Sequence, residues 1–158
     1  MLVMNTAPAA RSIIVEGDLP YPPEKVWRAL TDGQLIAQWL MPTTFDLSTC
    51  GGNPVGTRFT FKTKPMGDWD GVVHCEVLLA EPPRLLRYSW MGGSETNSKY
   101  GSTLDSVVTW TLTATAGGTH LKMEHAGFRS PQNDFAYDAM SPGWGRIIQS
   151  IERVIAAA

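Results

Sequence analysis

From Pro142 the chain runs Pro-Gly-Trp-Gly-Arg-Ile-Ile-Gln-Ser-Ile-Glu-Arg-Val-Ile, and its apolar residues keep helical spacing. Trp144, Ile147, Ile148, Ile151, Val154 and Ile155 form one stripe, with Arg146, Gln149, Glu152 and Arg153 on the rest of the cylinder. Ser141 suits an N-cap and Pro142 a first helical position, so the pattern predicts a helix that opens there. At about 15 residues it would span roughly 22 Å.

Most of residues 43–129 alternates with the period of a strand instead. Phe45 and Leu47 predict a short strand before the turn Cys50-Gly51-Gly52-Asn53-Pro54. Thr57 to Thr63 places Phe59 and Phe61 inside. Val73, Cys75, Val77 and Leu79 share a face opposite His74 and Glu76, and Glu81-Pro82-Pro83-Arg84 makes a turn. Leu86, Tyr88 and Trp90 share the next face. Met91 to Gly101 is polar and glycine-rich, as expected of a long hairpin tip. Val108, Trp110 and Leu112 follow, then the turn at Ala116-Gly117-Gly118-Thr119, then Leu121, Met123 and His125.

Ahead of these strands, Ile13 to Leu19 predicts a first strand that Pro20, Pro22 and Pro23 end. Glu24 to Thr31 predicts a short helix with Val26, Trp27 and Leu30 on one side. Asp32 then caps a second, Gln34 to Leu40, carrying Leu35, Ile36 and Trp39. Ser130 to Met140 is expected to be a linker holding at most a helical turn capped by Asn133 or Asp134. The expected fold is α+β: a curved antiparallel sheet of about six to seven strands wrapped around a long C-terminal helix, with two short helices after the first strand. Residues 1–10 are expected to be a flexible tail and residues 11–158 a single domain.

Composition narrows the function more than the fold. The chain has 158 residues and a net charge of −2, with its lysines and arginines scattered, so nucleic acid is not the expected partner. No apolar run reaches membrane-spanning length, and no secretory leader is evident, so a cytoplasmic location without membrane contact is expected. Cys50 and Cys75 stand in no paired motif; one disulfide or, preferably, two reduced thiols fits them. The histidines and cysteines lack ligand spacing, so no metal or other cofactor is expected. Six tryptophans are spread along the chain. They either fill a core or wall a cavity.

An ordered set of short motifs resembles a known family. The matching pieces begin with Pro23-Glu24-Lys25-Val26-Trp27-Arg28-Ala29-Leu30-Thr31-Asp32 followed by Trp39. Glu81-Pro82-Pro83-Arg84-Leu85 with Tyr88 and Trp90 comes next. Gly118-Thr119 with Leu121 and His125, and Gly143-Trp144, complete the set. Together they resemble the START-like, or SRPBCC, superfamily with its helix-grip fold. The nearest likeness is to proteins related to the C-terminal domain of the heat-shock-protein-90 ATPase activator. The arginine that many relatives carry before the paired glycines is missing from Asp46-Leu47-Ser48-Thr49-Cys50-Gly51-Gly52, so its role is not transferred.

The resemblance implies an apolar cavity between sheet and helix. Its expected lining is Trp39, Phe59, Phe61, Val77, Tyr88, Trp90, Trp110, Met123, His125, Met140, Trp144, Ile148 and Ile151. Met66, Met91 and Met140 would suit an adaptable mouth. The competing expectation is that these rings pack solid. Gly143 and Gly145 flank Trp144 and suit either a mobile helix entrance or a close backbone approach. His125, inward by alternation, and Tyr88 are the candidates for chemistry; the plainer reading of His125 is a core histidine bonded to backbone or to Tyr88. The expected function is therefore binding of a small hydrophobic or amphipathic molecule. Alternatives are a chaperone-directed surface role and a cyclase or dehydratase acting on a polyketide-like substrate. Either a monomer or a homodimer is compatible with the sequence.

Overall fold

In the computed structural model, residues 10–49, 53–65, 69–93 and 104–158 are described. The expected tail, save Ala10, lies outside them, as do Cys50, Met66 and most of the expected hairpin tip. Six strands form one antiparallel sheet: β1 (Arg11–Leu19), β2 (Arg58–Lys62), β3 (Val72–Glu81), β4 (Leu85–Gly92), β5 (Leu104–Thr115) and β6 (Gly118–Phe128). Their order is β1-β6-β5-β4-β3-β2, so β2 to β6 run as a meander and β1 closes onto β6. Helices α1 (Pro23–Thr31) and α2 (Gly33–Trp39) follow β1, and α3 (Asp134–Gly145) and α4 (Ile147–Ala157) end the chain.

Local chemistry explains the short helices. Pro23 opens α1 where its missing N–H costs nothing. Asp32 ends that helix with an extended backbone, and its carboxylate caps the next, accepting from the Gln34 and Leu35 backbone N–H groups at 2.9 and 3.3 Å. The indole N–H of Trp39 donates to the Ala29 carbonyl at 2.7 Å and locks α2 against α1.

The apolar faces of sheet and helices meet in one core that includes Val26, Ile36, Val108, Trp110, Leu121 and Ile151. On β1, Gly17 lets the helix come close: a Cβ there would stand 3.2 Å from the Ile148 side chain. On β6, Gly127 has φ +110, and a Cβ would meet the Asp105 carbonyl at 2.9 Å. The irregularity falls there, as Arg11 pairs with Phe128 and Ser12 with Ala126. It advances the alternation by one, so Phe128 joins His125 inside and is fully buried.

Three sequence expectations are corrected. Phe45 and Leu47 do not form a strand. Thr43 makes an isolated bridge to Phe61, and Leu47–Thr49 is a 3-10 turn. The Asp46 carboxylate takes the Ser48 N–H and hydroxyl at 3.0 and 2.5 Å, so side chains satisfy the backbone that a ladder would have used. Phe45 is still buried, stacked on Phe59 at 4.4 Å between ring centroids.

Leu79 does not share the inner face of Val77. The register slips between them, so Val77 pairs with inward Tyr88 but Leu79 with outward Arg87.

The C-terminal helical region starts at Asp134 rather than at Ser141, and it breaks at Arg146 into two segments. Ser141 and Pro142 lie inside α3, where the Ser141 hydroxyl donates to the Tyr137 carbonyl at 2.6 Å. Contacts distant in sequence anchor the earlier start. Arg11 pairs with Asp134 at 2.7 Å and sits over the Tyr137 ring at 3.9 Å. Tyr137 in turn meets Phe128 edge-on at 5.4 Å.

Candidate ligand cavity

Sheet and helices do not close completely on each other. A cavity of about 400 Å³ remains between one end of the sheet and the α3–α4 junction, within the range of small-molecule sites, roughly 300–1,000 Å³. Large rings make the walls: Trp39 from the end of α2, Trp69 before β3, Trp90 from β4 and Trp144 from α3. Small residues make the gap. Gly92 ends β4 and Gly93 follows it, and Ala136, Ala139 and Gly143 lie on α3. Rigid rings facing positions without side-chain bulk cannot collapse inward, so space persists.

The expected lining divides into two groups. Trp39, Trp90, Met140 and Trp144 border the cavity. Phe59, Phe61, Val77, Tyr88, Trp110, Met123, His125, Ile148 and Ile151 do not. Most of these fill the neighbouring solid core. Phe59 meets Tyr88 edge-on at 5.3 Å, Phe61 lies 5.3 Å from Trp90, and Trp110 meets Trp39 at 5.5 Å. Met91 is exposed on β4, between His74 of β3 and Asp105 of β5. Residues outside the expected lining, such as Met41, Trp69, Val73, Leu104 and Ile147, complete much of the wall. The signal available for the gap was the small residues, Gly92-Gly93 and Gly143.

His125 stands one residue behind that wall. It is fully buried, 5.2 Å from Trp90 and 5.8 Å from Trp144 between ring centroids. Its Nδ1 accepts the Trp144 indole N–H at 3.1 Å, which leaves the ring proton on Nε2. Nε2 then donates to the Ser106 hydroxyl at 2.8 Å, and that hydroxyl donates to the Trp90 carbonyl at 2.7 Å. Each donor in this chain has one acceptor. Burial, with no charged partner to offset it, holds the imidazole neutral and lowers its pKa to about 3. Its partners are thus a serine and an indole, not backbone or Tyr88. Both ring nitrogens are occupied, so in this arrangement it holds the sheet to α3 and has no free lone pair for a substrate proton.

Tyr88 is equally enclosed. Its hydroxyl accepts from the Trp110 indole at 3.0 Å, and burial pushes the phenol above its ordinary range. Cys75 is a buried free thiol, also pushed up by burial. Among the described residues no cluster of three histidine, cysteine or acidic side chains could hold a metal. No described helix is long and apolar enough to cross a membrane.

An antiparallel sheet gripping C-terminal helices around an apolar cavity defines a helix-grip protein of the START-like, SRPBCC type. The family model described as "Activator of Hsp90 ATPase homolog 1-like protein" matches residues 20–156, and the chain belongs to that family. Among solved structures, protein MLL2253 from Mesorhizobium loti is 40% identical. The match covers 94% of this chain and 98% of that one, with a TM-score of 0.76. CalU16 from Micromonospora echinospora is 28% identical over 93% of this chain and 77% of its own, with a TM-score of 0.67. DynU16, described as a putative protein in the dynemicin biosynthetic locus, shares the fold at 23% identity. That match covers 92% of this chain and 47% of the other, with a TM-score of 0.68. No curated protein matches the chain.

Proposed function

We propose that the protein binds a small hydrophobic or amphipathic molecule in the cavity between the sheet and the C-terminal helices. The carrying observation is a space of about 400 Å³ bordered by Trp39, Trp69, Trp90 and Trp144. Apolar walls of this size favour transfer of an apolar body out of water, by about 25 cal/mol per Å² buried. Family membership supports a fold that binds ligands, without naming one.

The test is titration with N-phenyl-1-naphthylamine, a neutral apolar dye that brightens when it leaves water, beside native mass spectrometry of freshly purified protein. The expected result is saturable binding of one dye per chain, or a carried mass that is lost on denaturation and blocks the dye. A bare chain that leaves the dye dark sinks the reading. The family description would then favour the alternative, a surface role resembling that of the heat-shock-protein-90 ATPase activator, and pull-down with the chaperone would test it. A cyclase or dehydratase role is less supported, because His125 and Tyr88 lie off the cavity wall with their polar atoms engaged.

A further inference from the structure

The polar groups on the cavity wall are unequal in kind. Three of the four indoles there are already committed: Trp39 to Ala29, Trp69 to the Val72 carbonyl at 3.3 Å, and Trp144 to His125. No described residue accepts from the Trp90 indole N–H, and no fully enclosed side-chain polar atom among the described residues lacks a partner, so that N–H is open to solvent at the cavity. Ser150 is occupied, its hydroxyl donating to the Arg146 carbonyl at 3.2 Å and accepting from Arg153 at 3.2 Å. Among the described residues Arg146 is the one charged side chain on the wall, and it pairs with no described carboxylate. Among the described residues no carboxylate, carboxamide or imidazole lines the space. The free side-chain polar groups are therefore donors, and a ligand that satisfies them must bring acceptors.

Arg146 also sits where the helix is interrupted. Its backbone is the break between α3 and α4, with φ −103 and ψ 1. The side chain is exposed, so its charge remains solvated when the cavity is empty. One planar guanidinium matches one carboxylate through two parallel hydrogen bonds. A phosphate dianion would bring a second charge for which the described wall holds no second cation.

We propose that the cavity selects an apolar carboxylic acid, with its carboxylate at Arg146 and its hydrocarbon body among the tryptophans. This rests on the ligand-binding reading above and adds the chemical class of the ligand. The test is displacement of N-phenyl-1-naphthylamine by decanoate and by 1-decanol, at pH 8 and below micelle-forming concentrations. It uses the wild type, Arg146→Gln and Arg146→Lys. Wild type is expected to prefer decanoate by about tenfold, as a charge-assisted pair would give. In Arg146→Gln that ratio falls to near one, and in Arg146→Lys part of it returns. The proposal is overturned if decanol competes as well as decanoate in wild type, or if Arg146→Gln keeps the preference. In both cases the dye still binds and the ligand-binding reading stands. If the dye never binds and neither chain is taken up, that reading fails and this proposal fails with it.

Discussion

His125 has the same residue type that general-base sites use, yet its surroundings give it a different task. The Trp144 indole fills Nδ1 and Ser106 takes the Nε2 proton, so the neutral ring is the bonded form. Adding a proton at Nδ1 would remove the acceptor of Trp144 and place a charge in the core. The folded pKa, about 3, lies below the ordinary histidine value of 6.5, so the unfolded chain binds the proton first. Stability is full above about pH 6.5 and falls as pH drops toward 3, on the order of a few kcal/mol. Urea unfolding at pH 7, 5.5 and 4 should show the loss. His125→Gln, which keeps one acceptor and one donor, should fold and show a shallower acid slope. An unchanged slope would mean that His125 is charged without penalty.

At the scale of elements, β1 is the edge strand that joins last in space and first in sequence, and polar contacts hold its outer face. His120 on β6 bridges Asp18 through Nδ1 at 2.9 Å and Glu16 through Nε2 at 2.8 Å. With acceptors at both nitrogens, the doubly protonated ring is favoured. The hydrogen bond to Asp18, then that to Glu16, raises its pKa. The sign here is opposite to that of His125. The contribution is complete below the unfolded pKa and is lost as pH rises through the raised folded value. Amide hydrogen exchange at β1 should therefore show weaker protection on the alkaline side of the His120 titration, after correction for intrinsic rates. His120→Gln should remove that pH dependence. The solvent-exposed setting keeps the effect small and salt-sensitive. The other elements show how pairing overrides local pattern: Leu79 alternates correctly in the sequence, but the slip after Val77 turns it outward beside Arg87.

For the whole molecule, the cavity is what two layers leave when large rings face small residues. Gly143 tests this. It lines the cavity, and an added Cβ there meets nothing within 4 Å. Gly143→Leu should not lower stability, because leucine is the better helix former by up to about 1 kcal/mol. The same substitution should weaken N-phenyl-1-naphthylamine binding by filling the space. Thermal melts and dye titration together check it; a destabilised variant or undiminished dye binding would count against the cavity as drawn.

The α+β order, the short helices, the six strands without their register, and the apolar stripe from Trp144 to Ile155 are legible in the sequence alone. Periodicity, proline and the Asp32 cap act over a few residues, so they are visible without a partner. The sequence also marked Trp39, Trp90, Met140 and Trp144, which border the cavity. Which inward rings pack solid and which stand open depends on contacts made across the fold. Inward alternation is identical for Trp110, which other rings cover, and Trp90, which borders the cavity beside Gly92 and the helix junction. Tertiary contacts likewise started α3 at Asp134, through Arg11 from the far end of the chain. They also gave His125 its partners, Ser106 on β5 and Trp144 on α3. Partners so distant along the chain leave no local signature, because their spacing is set by folding and not by period.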